Sequence, residues 1–348
     1  MQRWFHQAGL GPAPKGRRPA LNPPRARQPH DVWQVDAKER ILLQSGQRVS
    51  WLRIVDECSG AVLWTVVCPP GRWLKVPPAD VQAELRRAFA RWGRPATIRL
   101  DHGGPWGSAG DLPPELALGL IGLGIDVHGN DPPAPPQNGV VERSQGTGQR
   151  WAEPGRCASV AELQQRLQEV DAIQREAYPS VAGRSRAAAF PGLVHSGRRY
   201  SKAWARRHWD HRRALAHLAG YVLPRRVDKN GDVSLYHRPH YVGCMQRGKA
   251  IYVMVDPERI EWVFVDAQGQ QLRSQPAEEL QAERICGLRV TKRPGEAGRG
   301  RTGRGPRCRR ATAGAGHGPS ASGGAVRRTG GHEQAPRQKL LSGFHGKT

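Results

Sequence analysis

The chain has 348 residues, enough for about two domains that each bury a core. It carries 54 Lys and Arg against 30 Asp and Glu, a formal net charge of +24, which solubility alone does not require and which points to a polyanionic partner. It has no apolar run of about 18 residues and no apolar core near its start, which argues against a membrane span or a secretory leader, so a cytoplasmic protein is expected.

Residues 1–30 form a basic, proline-rich arm with too few large apolar residues to pack alone, and read as a linker. Its first part, "MQRWFHQAGL", reads as the last turn of a helix and its glycine stop. From residue 31 the pattern becomes regular. "VWQVDAKE" (32–39), "VSWLRIVDE" (49–57) and "AVLWTVVC" (61–68) are rich in β-branched and aromatic residues and are joined by "QSGQR" and "CSG". They read as a three-strand meander. "PADVQAELRRAFARWG" (78–93) sets Val81, Leu85, Ala88, Phe89 and Trp92 on one helical face and ends at Gly93. A strand "ATIRLD" (96–101), a helix "PPELALGLIGLG" (113–124) and a strand "IDVHGN" (125–130) follow. Antiparallel strands followed by parallel ones with crossover helices predict a mixed five-stranded α/β sheet flanked by helices.

In "PAPPQNGVVERSQG" (133–146) the prolines stiffen the approach to a helix that carries Glu142 in its first turn. A long helix over 159–178 follows, and after a basic loop another over 208–222. From 225 short strands with the turn signals "KNGD" and "AQGQ" predict a small all-β barrel or sheet. After about 292 large apolar residues almost vanish, which leaves either a disordered nucleic-acid-binding tail or the product of a slipped reading frame. The expected organisation is therefore a linker (1–30), an α/β core (31–180), a helical connector (181–224), a small β domain (225–292) and a basic Gly/Arg-rich tail (293–348). The six cysteines are scattered without a C-x-x-C pair, which argues against structural zinc and for reduced thiols.

Three carboxylates fall at telling places. Asp36 lies in the middle of the first strand, on the face shared by Gln34 and Lys38; Asp101 ends the fourth strand; Glu142 opens the helix after the fifth. With the first and fourth strands adjacent, the three converge. Such a cluster is electrostatically costly unless cations occupy it, and hard oxygen donors select Mg²⁺ or Mn²⁺. Two such ions, about 3.5–4 Å apart, can activate a water or a 3′-hydroxyl and stabilise the leaving oxygen of a phosphodiester. Each acid also has an ordinary reading: Asp36 paired with Lys38 or an arginine, Asp101 capping a turn, Glu142 favoured by the helix dipole. Asp56, Glu57, Asp111 and Asp131 compete, with edge or turn roles sufficing for Asp56 and Asp131.

With "DVWQVDAKE", "IRLDHGGPWG" and "PPQNGVVERSQG", the stretch 31–180 resembles the integrase-type catalytic core of bacterial insertion-sequence transposases, an RNase H-like fold with an Asp-Asp-Glu triad. The segment from 225 resembles the small DNA-contacting β-barrel that follows this core. The resemblance implies hydrolysis at element ends and strand transfer into target DNA, with Asp36, Asp101 and Glu142 holding Mg²⁺ or Mn²⁺. It implies loop support or DNA approach for Asn138 and phosphate binding for Arg143, with Lys38 and His102 beside the site and a homo-oligomer on DNA in a bacterial nucleoid. His102 stands where the family usually has Asn, and the forty residues between Asp101 and Glu142 exceed the usual gap. The family's N-terminal helix-turn-helix is represented only by "MQRWFHQAGLGPAPKGRRP". A non-catalytic DNA-binding remnant and an RNase H-like nuclease acting on hybrids are the other readings.

Overall fold

Strand β1 (Val32–Leu42) sends successive side chains to opposite faces of the sheet. Trp33 and Val35 are fully buried in one core, while Gln34, Asp36 and Lys38 share the other face. The computed structural model describes residues 25–68, 76–100, 111–129 and 138–291, all within one compact unit, Met1–Arg307. Most of the expected linker, Asp101, His102, Asp131, the proline run and the basic tail lie outside the described residues.

β1 pairs antiparallel with β2 (Arg48–Asp56), and β2 with β3 (Val62–Cys68). On its other edge β1 pairs parallel with β4 (Thr97–Leu100), which pairs parallel with β5 (Asp126–Gly129). The order β3-β2-β1-β4-β5 gives the expected mixed, five-stranded, RNase H-like sheet. β1 runs past its expected end because of a bulge. Arg40 has φ 61°, the register shifts between Lys38 and Ile41, and the extra residue flips the side-chain parity. Ile41 is thereby buried on the face opposite Trp33 and Val35.

Helix α1 (Pro78–Trp92) covers the Trp33 face with the residues its period predicts: Val81, Leu85, Ala88, Phe89 and Trp92. Each larger side chain of that stripe contributes about 1.5–3 kcal/mol by leaving water. Gly93 ends the helix at φ 76°, its N–H on the Phe89 carbonyl. A Cβ there would lie 2.2 Å from Ser196 Oγ, so the position tolerates no side chain. Helix α2 (Glu115–Gly122) is buried on every side. Leu116 and Leu120 enter the sheet's core while Leu118 enters a second core, so the helix has no polar face. On the sheet's other face lie α3 (Gly139–Ala152) and α4 (Val160–Ala172), the latter ending in a π-helical turn, Ile173–Ala177.

After the short helix α5 (Arg186–Ala189), the stretch expected to be a basic loop forms a helix, α6 (Lys202–His208), and the predicted 208–222 helix is α7 (His211–Ala219). Asp210 separates them, its carboxylate accepting the N–H groups of Arg212 and Arg213 as an N-cap. The remaining strands are β6 (Leu223–Arg226), β7 (Asp232–Leu235), β8 (Arg238–Tyr241), β9 (Ala250–Asp256), β10 (Glu261–Val265) and β11 (Gln271–Pro276), before a last turn of helix, α8 (Ala282–Cys286). Among the described residues they do not close into one barrel. They form a four-stranded antiparallel sheet, β11-β10-β9-β6, and a separate β7-β8 hairpin, both contributing to the second core around Trp262 and Phe264. "AQGQ" turns β10 into β11 as expected. "KNGD" instead only leads into β7, and the tight β7-β8 turn is Tyr236-His237, both at positive φ.

Cys58, Cys68, Cys157 and Cys286 are free thiols; Cys244 is disulfide-bonded, unlike the reduced state expected for all six.

Ahead of β1 lies a buried histidine. His30 Nε2 donates to the Leu193 carbonyl at 3.0 Å, and its Nδ1 accepts the Trp33 indole N–H at 3.1 Å, which fixes a neutral ring. Burial pulls its pKa below the ordinary 6.5, outweighing Asp56 nearby. Below pH 6.5 the unfolded chain binds a proton that the folded chain does not, so this contribution is complete above 6.5 and is lost as pH falls. In His30→Asn, which keeps a residue tolerant of φ 66°, the denaturation midpoint is expected to fall less steeply below pH 6.5 than in the wild type. Parallel pH profiles would show that His30 is not the group responsible.

Candidate active site

Helix α3 carries Glu142 and is fastened to β1 by two glutamines. Asn138, at its N-terminus, makes no side-chain cap; it is buried, and its Oδ1 has no partner among the described residues. The orphan N–H groups of Val140 and Val141 instead donate to Gln34 Oε1 at 3.2 and 3.0 Å. Gln34 is itself fixed, its Nε2 donating to Glu57 Oε2 at 2.7 Å, and Glu57 is held by Arg99 at 2.8 Å. Three residues beyond Glu142, buried Gln145 receives the Trp51 indole N–H on Oε1. Its amide nitrogen therefore faces Asp36, donating to the backbone oxygen at 3.3 Å and to Oδ2 at 3.2 Å.

Asp36 is half-buried at the centre of β1, and Lys38 follows it on the same face. Glu142 is exposed in the first turn of α3 and makes no ion pair among the described residues. Arg143 is exposed, its Nε donating to the Gly139 carbonyl at 3.0 Å. Leu100, the residue before Asp101, is the register partner of Val35, the residue before Asp36. Asp101 and His102 themselves lie outside the described residues. Among the competing acids, Asp56 serves the β2-β3 turn, accepting from the N–H and hydroxyl of Ser59, and Asp111 pairs with Arg225 at 2.7 Å.

A buried arginine braces the same face. Arg53, cross-strand partner of Asp36, donates to Thr65 Oγ1 at 3.1 Å, to the Ser144 carbonyl at 2.6 Å and to Asp171 Oδ1 at 2.8 Å. Burial pulls the guanidinium pKa down and pushes the Asp171 carboxyl up, against the attraction between them. α3 passes so close that a Cβ on Gly148 would lie 2.5 Å from Arg53 Nη2, whereas one on Gly146 meets nothing within 4 Å. The two glycines therefore predict opposite effects. Gly146→Ala should raise stability by about 0.5–1 kcal/mol through helix propensity. Gly148→Ala gains the same but overpacks at a cost of about 1–3 kcal/mol, for a net loss. Denaturant midpoints check both, and two increases would show that Arg53 yields freely.

Among the described residues no group of three or more His, Cys, Asp or Glu side chains is placed to hold a metal ion. Asp36 and Glu142 offer hard carboxylate oxygens, a donor chemistry that suits Mg²⁺ or Mn²⁺ rather than a soft metal.

No family model matches the chain. Among solved structures, it is similar to a simian T-cell lymphotropic virus intasome in complex with PP2A regulatory subunit B56 gamma, at 20% identity and a TM-score of 0.39. That similarity covers 51% of this chain and spans 59% of the other chain. The BIV integrase catalytic core domain is similar at 17% identity and a TM-score of 0.36, over 47% of this chain and 94% of that one. The HTLV-2 integrase catalytic core domain in complex with magnesium is similar at 17% and 0.36, over 49% of this chain and 100% of that one.

Proposed function

We propose that the chain is a divalent-metal-dependent enzyme that cuts and joins DNA strands, a transposase of the integrase type. The observation that carries this reading is the double fastening of α3 to β1, in which Gln34 holds the helix's N-terminus and Gln145 holds Asp36. A helix docked in that way keeps Glu142 and Asp36 in fixed relation, which a merely solvated pair of acids does not need. Asp36, Glu142 and, from the sequence, Asp101 would hold Mg²⁺ or Mn²⁺, two ions being expected. The metal would supply an activated water or 3′-hydroxyl and stabilise the leaving oxygen. Gln145 orients the Asp36 carboxylate, and Gln34 sets the height of the helix along the strand. DNA is the partner, held first by phosphate contacts to the basic surface, and a homo-oligomer on DNA is expected.

The test is nicking of supercoiled plasmid by the full chain in Mg²⁺ or Mn²⁺, beside Asp36→Asn. Nicking by the wild type alone is expected. Wild-type binding without cutting would leave the chain as a DNA-holding protein, and cutting confined to RNA in hybrids would make it an RNase H-like nuclease. Gln145→Leu should lower nicking about 10–100-fold and raise the metal concentration for half-maximal rate, as losing an outer hydrogen bond to a ligand does. An unchanged metal dependence would remove Gln145 from that role.

A further inference from the structure

Helix α3 walls a second feature on a flank that includes neither Glu142 nor Gln145. Arg143 and Arg150 face an open cavity of about 540 Å³, bordered also by the β2-β3 turn, the π-helical turn and the segment leading into α5. Arg25 and Arg186 complete a lining with four arginines and no acid. None of the four forms an ion pair among the described residues. Arg186 is the most constrained. Its Nη1 donates to the Gln174 carbonyl at 3.0 Å, but its Nε is buried with no acceptor among the described residues, and burial pulls its pKa down. An unsatisfied buried donor on a guanidinium is costly, and a turn of the Arg186 side chain toward an anionic oxygen in the cavity would relieve it.

Aromatic residues stand beside the charge. Trp151 and Tyr178 also line the cavity, their rings 5.3 Å apart edge to face and both substantially exposed, at 39% and 48%. Arginines alone would suit any phosphate. Arginines around a concavity with exposed rings suit a strand whose bases are free to leave the stack, because paired bases in a duplex cannot present their faces to a side chain.

We propose that this cavity binds an unpaired segment of a DNA strand, its phosphates on Arg25, Arg143, Arg150 and Arg186 and a base against Trp151 and Tyr178. The choice of DNA rests on the function proposed above; the pocket itself does not. Binding is therefore measured in a metal chelator, where no cutting occurs and failure of the catalytic reading leaves the result intact. Labelled oligothymidylate, a duplex and pyrophosphate are titrated onto the full chain. Arg143→Gln with Arg150→Gln should weaken oligothymidylate binding at least about tenfold and reduce its log–log salt slope by about 1.4, while duplex affinity changes less than about twofold. Trp151→Ala should weaken it about tenfold, with Trp151→Phe retaining most of the affinity. Arg25→Gln, outside the helix, should act in the same direction, so the result does not depend on α3 folding. Equal losses for duplex and single strand would reduce the pocket to a generic basic surface and overturn the proposal. Pyrophosphate binding as tightly as oligothymidylate would overturn it too, by making this a free-phosphate site.

Discussion

Glu142→Gln is expected to lower metal-dependent nicking by about 10³-fold or more while DNA affinity stays within about twofold. Under the proposed function Glu142 would be a metal ligand, and removing its charge would forfeit several kcal/mol of transition-state charge stabilisation, each 1.4 kcal/mol being about tenfold in rate. The substitution is nearly isosteric. Glu142 is exposed and unpaired among the described residues, so folding should not notice it. Gln34 and Gln145 keep their hydrogen bonds, and the helix stays where it was. Nicking rates in Mg²⁺, with affinity measured separately in chelator, check both halves. A variant that still cuts would mean that the carboxylate is held elsewhere on the chain.

Asp171→Asn should cost about 3–5 kcal/mol of stability, because it strands a buried guanidinium. Arg53 is 1% exposed in its side chain, has Thr65 and Ser144 as its other partners, and cannot reach water without moving α3. Replacing both partners by apolar residues, Arg53→Met with Asp171→Leu, should recover much of that loss, since neither desolvation cost then remains. Denaturant midpoints of the three chains give the answer. A single variant as stable as the wild type would show that the pair is hydrated. The same network carries the weight of the site: Arg53 ties β2 to the carbonyl of Ser144, the residue before Gln145. Loss of Asp171 should therefore also blunt nicking below the unfolding temperature.

The sheet was legible in the sequence because its signals are local. Alternation in "VWQVDAKE", the apolar stripe of 78–93 and Gly93 each specify an element from nearby residues, and the strand order follows from topology rules. The same logic singles out Asp36 and Glu142 as candidates. Gln34 and Gln145 were not, because a glutamine carries no signal until the chain brings it beside a partner more than a hundred residues away, as with Gln34 and Val141. Asp171 reads as one more acid on a helix surface, and only the fold places it against Arg53. One local signal was present and missed. Asp210 is the N-cap that starts α7, so the helix begins at His211 rather than at the expected 208. The Tyr236-His237 turn gave none, since glycine or asparagine normally marks positive φ. The barrel failed for a different reason. β6 pairs with β9 across an intervening hairpin, and no short-range pattern states which strands share hydrogen bonds.

The segment between the two cores has a consequence for how such a chain can be divided. Ser196 donates its N–H to the Trp92 carbonyl, Arg198 donates to the carbonyls of His30 and Arg94, and Leu193 is buried in the core of the sheet with Tyr200 and Trp204 packed on it. What reads along the sequence as a spacer is a missing piece of the sheet's own interior. Replacing the region before residue 180 while keeping the strap that follows should destabilise the fold, because Gly93, Trp92 and His30 contact that strap directly. The sheet and its strap share one interior, and any border drawn between them cuts through a core.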